Sequence, residues 1–319
     1  MNVQRWIARR ESNWKRLDEL LRQVEKKGIK ALRSSEIKEL ASLYRSAAAD
    51  LARARTQQVS QIIIQSLQSL TTRSYNQIYQ GSRRQEWQAV LEFYRWGFPA
   101  AIQRNFGCIA LATVLFLFGG IVAWWYAWQD PTFLSLVVPD YLIKKVQEDR
   151  QLWMGSIVGV EPLASSSIMT NNISVSFAAV SGGITAGLYT TFLLVYNGLS
   201  IGAVATLVGQ NNLAYPFWAF VFPHGALELP AIFFAGGAGF LIARAIVFPG
   251  KYKRGDALKV YGAQAAQLVL GIVPMLVVAG IIEGFFSPSP IVPLPLKYLA
   301  GIGLFALLVV YCQRQKSRS

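Results

Sequence analysis

The sequence predicts an all-α polytopic α-helical membrane protein, with about five to six spans, one broken segment and an N-terminal helical cytoplasmic domain. Two observations lead to this prediction. Only 15% of the residues are charged and 53% are hydrophobic, whereas soluble domains average about 25% charged residues. The charge is also uneven, because residues 1–106 carry a net +10 and residues 107–319 only +4. A basic region therefore precedes a membrane region.

Residues 1–106 are predicted to form the cytoplasmic domain. Apolar residues at helical spacing indicate two amphipathic helices within 2–57, the first of them from about Val3 to Lys27. A third helix is predicted from about 58 to 79. Near 83–104, arginines mix with aromatic residues before Pro99, which predicts a helix lying at the membrane surface. A bundle helix with a buried aromatic face is the alternative.

Residues 107–312 are predicted to form the transmembrane domain, because a span needs about 20 apolar residues. The first span covers 107–128 and ends in a belt of four aromatic residues. A polar loop at 129–172 follows, and 313–319 form a basic tail. The other predicted crossings are 173–196, then 199–222 as either a full span or a broken segment, then 231–247, 260–286 and 296–312.

Positive charge fixes the predicted orientation. The N-terminal region, the 250–259 loop and the C-terminal tail are rich in Lys and Arg, so the positive-inside rule puts all three in the cytoplasm. Contact with the lipid bilayer then explains the basic residues, and nucleic acid is not expected as a partner. Runs of small residues are compatible with a homo-oligomer.

Three stretches of sequence place polar groups at a similar depth near the outer face. His224, the only histidine, lies four residues before Glu228, so the two share a helix face. Glu283 lies near the outer end of its span, and Asn171 with Asn172 begins another. Ionisable groups in spans are rare and usually functional, so this cluster is read either as a binding site or as a structural network.

Catalytic chemistry has little support in the sequence. One histidine and two distant cysteines cannot supply a histidine-rich zinc site, and no metal or cofactor is predicted. The chain has no phosphate-binding loop and no H-E-x-x-H motif. Its one G-x-S-x-G pattern, Gly198–Gly202, lies in the apolar region and follows no predicted strand, so it is not the nucleophile elbow of a hydrolase. A Ser–His–acid arrangement stays open, and an intramembrane hydrolase using His224 and Glu228 is the third-ranked hypothesis.

Four stretches carry a resemblance to a known family. They are Asn171–Phe177, Tyr196–Gly202 with Asn197, Pro223–Ala231 with the His-Gly-x-x-Glu pattern, and Ala279–Phe286. In order and spacing they resemble the stage II sporulation protein M family of bacterial integral membrane proteins. The N-terminal part resembles the longer members through Tyr44–Arg45, Asp50–Ala52 and the 67–79 stretch.

The resemblance implies a multi-pass protein of the bacterial inner (plasma) membrane without catalysis of its own. The best-known members anchor two peptidoglycan-degrading proteins at the membrane during engulfment in sporulation. This chain departs from the short sporulation members by its region of about 105 residues before the first span. The resemblance carries over His224, Glu228, Glu283 and Asn172 as positions, without an activity. Asn197 is counted with them and with Asn171 as a candidate member of the polar cluster.

Two principal hypotheses follow. The first is a non-enzymatic scaffold that recruits or organises cell-envelope proteins, with the polar cluster as docking site or structural core. The second is a small-molecule or ion transporter or channel, because a broken segment at 197–223 beside intramembrane charges is typical of substrate sites in transporters.

Overall fold

The computed structural model describes residues 3–57 and 59–315, and every regular element in those ranges is helical. Two compact units divide the helices between them, Met1–Glu92 and Phe93–Ser319. The division falls after residue 92, whereas the sequence suggested 106. The predicted all-α class is confirmed.

Three helices form the first unit: α1 (Val3–Lys27), α2 (Ser34–Thr56) and α3 (Gln61–Glu92). One apolar face of each helix packs into a core that includes Leu17, Leu21, Leu40 and Leu70. The first helix ends before Gly28, whose φ of 78° lies in the region that favours glycine. The predicted extent of this helix is therefore confirmed.

A buried carboxylate joins α1 to α2. The side chain of Asp50 is only 2% exposed. The indole Nε1 of Trp14 donates a hydrogen bond of 3.0 Å to its Oδ2, and Arg10 Nε lies 3.3 Å from its Oδ1. A charge this deep in a core is tolerated because both of its oxygens have partners.

The stretch 83–104 does not form one helix. α3 continues to Glu92, a π-helical turn covers Phe93–Gly97, and α4 follows at Phe98–Arg104. Phe98 and Ile102 are buried in the core of the second unit, where the Phe98 ring meets the edge of Phe234. Residues 98–102 therefore differ from the predicted membrane-surface helix. Arg83 and Arg84, which contributed to that prediction, have side chains outside the described part.

Six long helices make up the bundle of the second unit: α5 (Phe106–Gln129), α8 (Glu161–Ser181), α9 (Leu188–Gln210), α10 (Ala214–Val247), α11 (Arg254–Ile281) and α12 (Leu294–Cys312). All except α8 are long and apolar enough to cross a membrane, with α11 extended to Phe286. The prediction of five to six spans is confirmed, and α8 is the polar sixth helix of the bundle. α10 is central, because it packs against each of the other five.

Glycines bring α5 and α9 into backbone contact. The space where a Cβ on Gly198 would lie is filled by the backbone of Phe116 and Gly120. Gly202 meets Gly120 in the same way one turn further on. Because residues of increasing number in both helices meet in the same order, α5 and α9 run parallel. Small residues commonly permit such approach between membrane helices.

The chain is interrupted within 199–222, at 211–213, where α9 ends and α10 begins. A second interruption falls at 182–187, inside the predicted crossing 173–196. There a 3₁₀ turn leads to Ala186 and Gly187, whose φ values of 56° and 85° are left-handed. A hydropathy window does not detect this turn, because the residues on both sides of it are apolar.

The predicted polar loop at 129–172 is largely folded. α6 (Leu134–Val137) and α7 (Asp140–Gln147) lie within it, and α8 begins at Glu161. We call residues 130–160 the cap. Its apolar side chains pack on α5, α9 and α10 at the end of the bundle where α10 begins.

Candidate functional site

The only histidine lies inside the central helix of the bundle. α10 runs without interruption through Pro223 and Pro230, and it begins at Ala214, ten residues before His224. The ring is therefore about 15 Å of helix rise from the start of α10, deeper than a position at the outer end of a span. The chain continues through both prolines although neither can donate the helical hydrogen bond.

Glu283 comes from a different kind of helical turn. α11 ends at Ile281, and the next five residues, Ile282–Phe286, form a π-helical turn that contains Glu283. Beside it, Gly284 lies against Ser165 of α8, which leaves no room for a larger side chain. Single π-helical turns in α-helices occur frequently at functional sites.

The structure brings His224, Glu228 and Glu283 together. One ligand atom from each, a ring nitrogen or a carboxylate oxygen, lies within 4.8 Å of the other two. His224 Nε2 is 3.8 Å from Glu283 Oε1, which is too long for a hydrogen bond. Glu283 Oε2 is buried and has no hydrogen-bond partner among the described residues. The i, i+4 pair of α10 and Glu283 of the π-helical turn thus form one cluster inside the bundle.

Two further polar residues complete the cluster, and the sequence did not single out either. Ser287 is 1% exposed, and its Oγ lies 3.1 Å from His224 Nδ1. Lys297 in the first turn of α12 donates a 2.6 Å hydrogen bond from Nζ to the Ser287 carbonyl. A lysine among the apolar residues of a span was the available signal. Residues of α10, of α12 and of the segment that joins α11 to α12 therefore meet here.

The three predicted asparagines have other contacts. Asn171 is exposed, and its Nδ2 lies 3.4 Å from Asn172 Oδ1. Asn197 donates to the Leu193 carbonyl one turn earlier in α9. No hydrogen bond among the described residues joins any of them to His224, Glu228 or Glu283. The predicted outer-face cluster therefore divides into a buried centre and separate polar positions.

The chemistry of the cluster favours binding or structure over hydrolysis. The His224 ring lies between the Ser287 hydroxyl and the Glu283 carboxyl group, which is the order of a serine, a histidine and an acid in a catalytic triad. A nucleophilic serine has to reach its substrate, and the Ser287 side chain is enclosed. Two buried carboxylates are also too costly to hold uncompensated in a low dielectric, so each needs a proton or a cation.

Cavities described in the structure lie elsewhere. One of about 10 Å³ lies between α8 and α11 and is lined by apolar residues with Ser176. An open groove of about 700 Å³ lies on the first unit between α1 and α3. Its charged lining includes Asp18 and Arg73, which are already paired at 2.6 Å. Neither cavity contains a residue of the buried cluster.

Comparison with known proteins assigns the region of the long helices to a protein family. A family model described as stage II sporulation protein M matches residues 112–288, more than half of the chain. A model described as a domain of unknown function (DUF8413) matches residues 4–80. An uncharacterized protein of Methanocaldococcus jannaschii is 30% identical over 125 residues, which are 39% of this chain and 70% of the relative. No solved structure matches. The first match includes His224, Glu228 and Glu283, and the chain belongs to the stage II sporulation protein M family.

Proposed function

We propose that this chain is a non-enzymatic membrane scaffold that recruits or organises cell-envelope proteins, with the cap as its docking surface. One observation carries the proposal: the cap is folded onto the bundle and presents apolar and charged side chains outward. Membership of the family supports the membrane setting. The extracytoplasmic position of the cap follows from the orientation that the positive-inside rule predicts.

Apolar burial holds the cap on the bundle. Leu134 of α6 and Val146 of α7 are fully buried in a cluster with Leu207 of α9. Met154 packs in a second cluster with Phe217 of α10. Full burial of one such side chain contributes about 1.5–3 kcal/mol. A partner bound to the cap would therefore be held firmly relative to the membrane helices.

The outward surface of the cap has the composition of a protein contact. Leu136 is 79% exposed and Tyr141 is 69% exposed. Exposed charges of both signs lie close to them in the sequence of the cap, among them Asp140, Lys144 and Glu148. Apolar and tyrosine anchors inside a polar rim are typical of protein interfaces, where tyrosine is enriched among the residues that dominate binding.

In a scaffold the buried cluster has a structural role. The contacts between His224 and Ser287 and between Ser287 and Lys297 join α10 to α12 through the segment that follows α11. Hydrogen bonds between membrane helices contribute only about 0.6 kcal/mol each on average. Their main effect would then be to select one arrangement of the three helices, and so one position for the cap.

Photo-crosslinking in native membranes tests the docking surface. A photoreactive residue replaces Tyr141 in one variant and Tyr252, an exposed tyrosine in the hairpin between α10 and α11, in the control. We expect Tyr141 to yield an adduct with a cell-envelope protein and Tyr252 to yield none of that protein. A second variant carries the photoreactive residue at Leu136. The same adduct from Tyr141 and Tyr252, or no adduct from either Tyr141 or Leu136, would contradict the proposal.

A surface variant adds a quantitative test. The double substitution Leu136→Ser with Tyr141→Ala removes two exposed anchors and leaves the buried face of the cap unchanged. We expect partner binding to weaken by about 1–3 kcal/mol, while the melting temperature of the chain stays the same. A partner that binds the double variant as tightly as the wild type would dock elsewhere.

A transporter or channel is the second candidate, and the buried carboxylates favour it. Glu228 and Glu283 lie beside a histidine within the bundle, and Glu283 is on a π-helical turn. The break within 197–223 that first suggested transport is the turn at 211–213 between α9 and α10, and the buried cluster lies about ten residues beyond it in α10. Ion flux into proteoliposomes that is lost in the Glu283→Gln variant would support this function, and no flux with the wild type would reject it.

A further inference from the structure

A histidine ring nitrogen and two carboxyl groups converge in the bundle, and no described lysine or arginine side chain forms an ion pair with either carboxyl group. Nε2 of His224 faces the carboxylates, since Nδ1 is engaged by Ser287 Oγ at 3.1 Å. Oxygens of Glu228 and Glu283 complete a trio within 4.8 Å. We propose that His224, Glu228 and Glu283 bind one divalent cation of the Zn²⁺ type inside the bundle. This inference is independent of the scaffold proposal.

The histidine is oriented as metal-binding histidines are. A ligating imidazole usually donates its second ring N–H to a nearby acceptor, which fixes the tautomer and the ring plane. Ser287 Oγ is in position to accept from Nδ1, and the Ser287 side chain is itself held in a buried site. With the proton on Nδ1, the lone pair of Nε2 is directed at the carboxylates. Ser287 is therefore a positioning residue for the cation.

Charge balance favours a divalent ion. His224 is 5% exposed, the Glu283 side chain is 14% exposed, and one oxygen of Glu283 lacks any partner among the described residues. The nearby ammonium of Lys297 donates to a backbone carbonyl, and no ion pair within 4.0 Å joins it to either carboxylate. The three ligands, two carboxylates and a neutral imidazole, carry a charge of −2, and one divalent cation neutralises that charge in the low dielectric. The Lys297 ammonium lies outside the ligand set.

Distances and donor types select the class of ion. Zinc binds nitrogen and carboxylate oxygen at about 2.0–2.2 Å in tetrahedral sites, which holds two ligand atoms about 3.4 Å apart. The pair of His224 Nε2 and Glu283 Oε1, at 3.8 Å, is close to this separation. One imidazole with two carboxylates suits Zn²⁺ better than Mg²⁺ or Ca²⁺, which prefer all-oxygen sites.

Zinc binding by the purified full chain, prepared without a histidine tag, tests the proposal. After removal of metals with a chelator, Zn²⁺ is titrated calorimetrically in detergent, and thermal unfolding is recorded with and without the ion. We expect one Zn²⁺ per chain and a higher melting temperature with Zn²⁺. Glu283→Gln should weaken binding by more than about 100-fold and Ser287→Ala by about 10–100-fold.

Asn197→Ala is the matched control, because it removes a polar side chain of the bundle that lies outside the cluster. It should bind Zn²⁺ as the wild type does. Equal binding by wild type and Glu283→Gln would overturn the proposal, since the ion would then lie elsewhere. If Glu283→Gln does not fold, the wild type decides: no stoichiometric binding and no change in melting temperature would equally overturn it.

Discussion

Replacing Gly198 with alanine should force α5 and α9 apart. The added Cβ would overlap the carbonyl oxygen of Phe116 and lie 3.0 Å from the amide nitrogen of Gly120. Both obstacles are backbone atoms in the interior of a helix, so neither can move aside as the end of a flexible side chain would. The two helices must separate instead, and the neighbouring contact of Gly202 with Gly120 is loosened with them.

The expected cost follows from two opposing effects. Alanine is a better helix former than glycine by about 0.8–1.0 kcal/mol at an interior position. Overpacking typically costs about 1–3 kcal/mol, and an immovable backbone puts this site at the upper end. We therefore expect a net loss of about 1–2 kcal/mol. For a unit of this size, that corresponds to a melting temperature lower by about 2–8 °C.

Thermal unfolding in detergent, followed by circular dichroism, measures the effect. Gly209→Ala is the matched control, because it makes the same substitution in the same helix at a position where a Cβ would meet nothing within 4 Å. The control should melt at or above the wild-type temperature. If Gly198→Ala melted as high as Gly209→Ala, the close contact of α5 with α9 would not exist as described.

Two further predictions concern the first unit. Asp50→Ala leaves the Trp14 indole N–H without its acceptor, so chemical denaturation of the full chain should show a loss of about 2–3 kcal/mol, whereas Glu11→Ala at an exposed ion pair should change little. The Arg73 guanidinium, bonded at 2.9 Å, holds the pKa of Glu25 below its ordinary value of 4.5. The carboxylate therefore adds stability above that pH and loses it as the pH falls through the lowered pKa. The loss between about pH 7 and pH 3 should be under about 1 kcal/mol, because the pair is partly exposed, and smaller still in Arg73→Gln.

The long apolar helices could be predicted closely because their signal is local. The first span was expected at 107–128, and α5 covers Phe106–Gln129. The first helix of the chain was predicted to its last residue, since amphipathic spacing and a following glycine both mark its end. Such features depend on neighbours in sequence, and distant parts of the chain do not alter them.

The errors arose where distant contacts decide the structure. α8 was divided between a loop and a crossing because its serines and asparagines lower its hydropathy, yet Ser165 donates to the Gly280 carbonyl of α11 at 2.8 Å. α10 is continuous through two prolines, and the five other long helices that surround it support it there. Neither contact has a signature in the local sequence.

The candidate site shows the same division. His224, Glu228 and Glu283 were selected because ionisable residues are conspicuous in apolar sequence, and they do meet. Asn171, Asn172 and Asn197 were selected as well, and their contacts lie elsewhere. Ser287 was not selected, because a serine in a proline-rich link gives no signal until a histidine lies 3.1 Å from it.

The sequence by itself determined the helical class, the membrane region and the three ionisable residues at its centre, because hydropathy and charge are sums over local residues. Only the tertiary structure decided where the chain turns, that the cap is folded, and which polar atoms face one another. Those outcomes depend on the relative depth of helices far apart in sequence, and that depth is set by close packing such as Gly284 against Ser165.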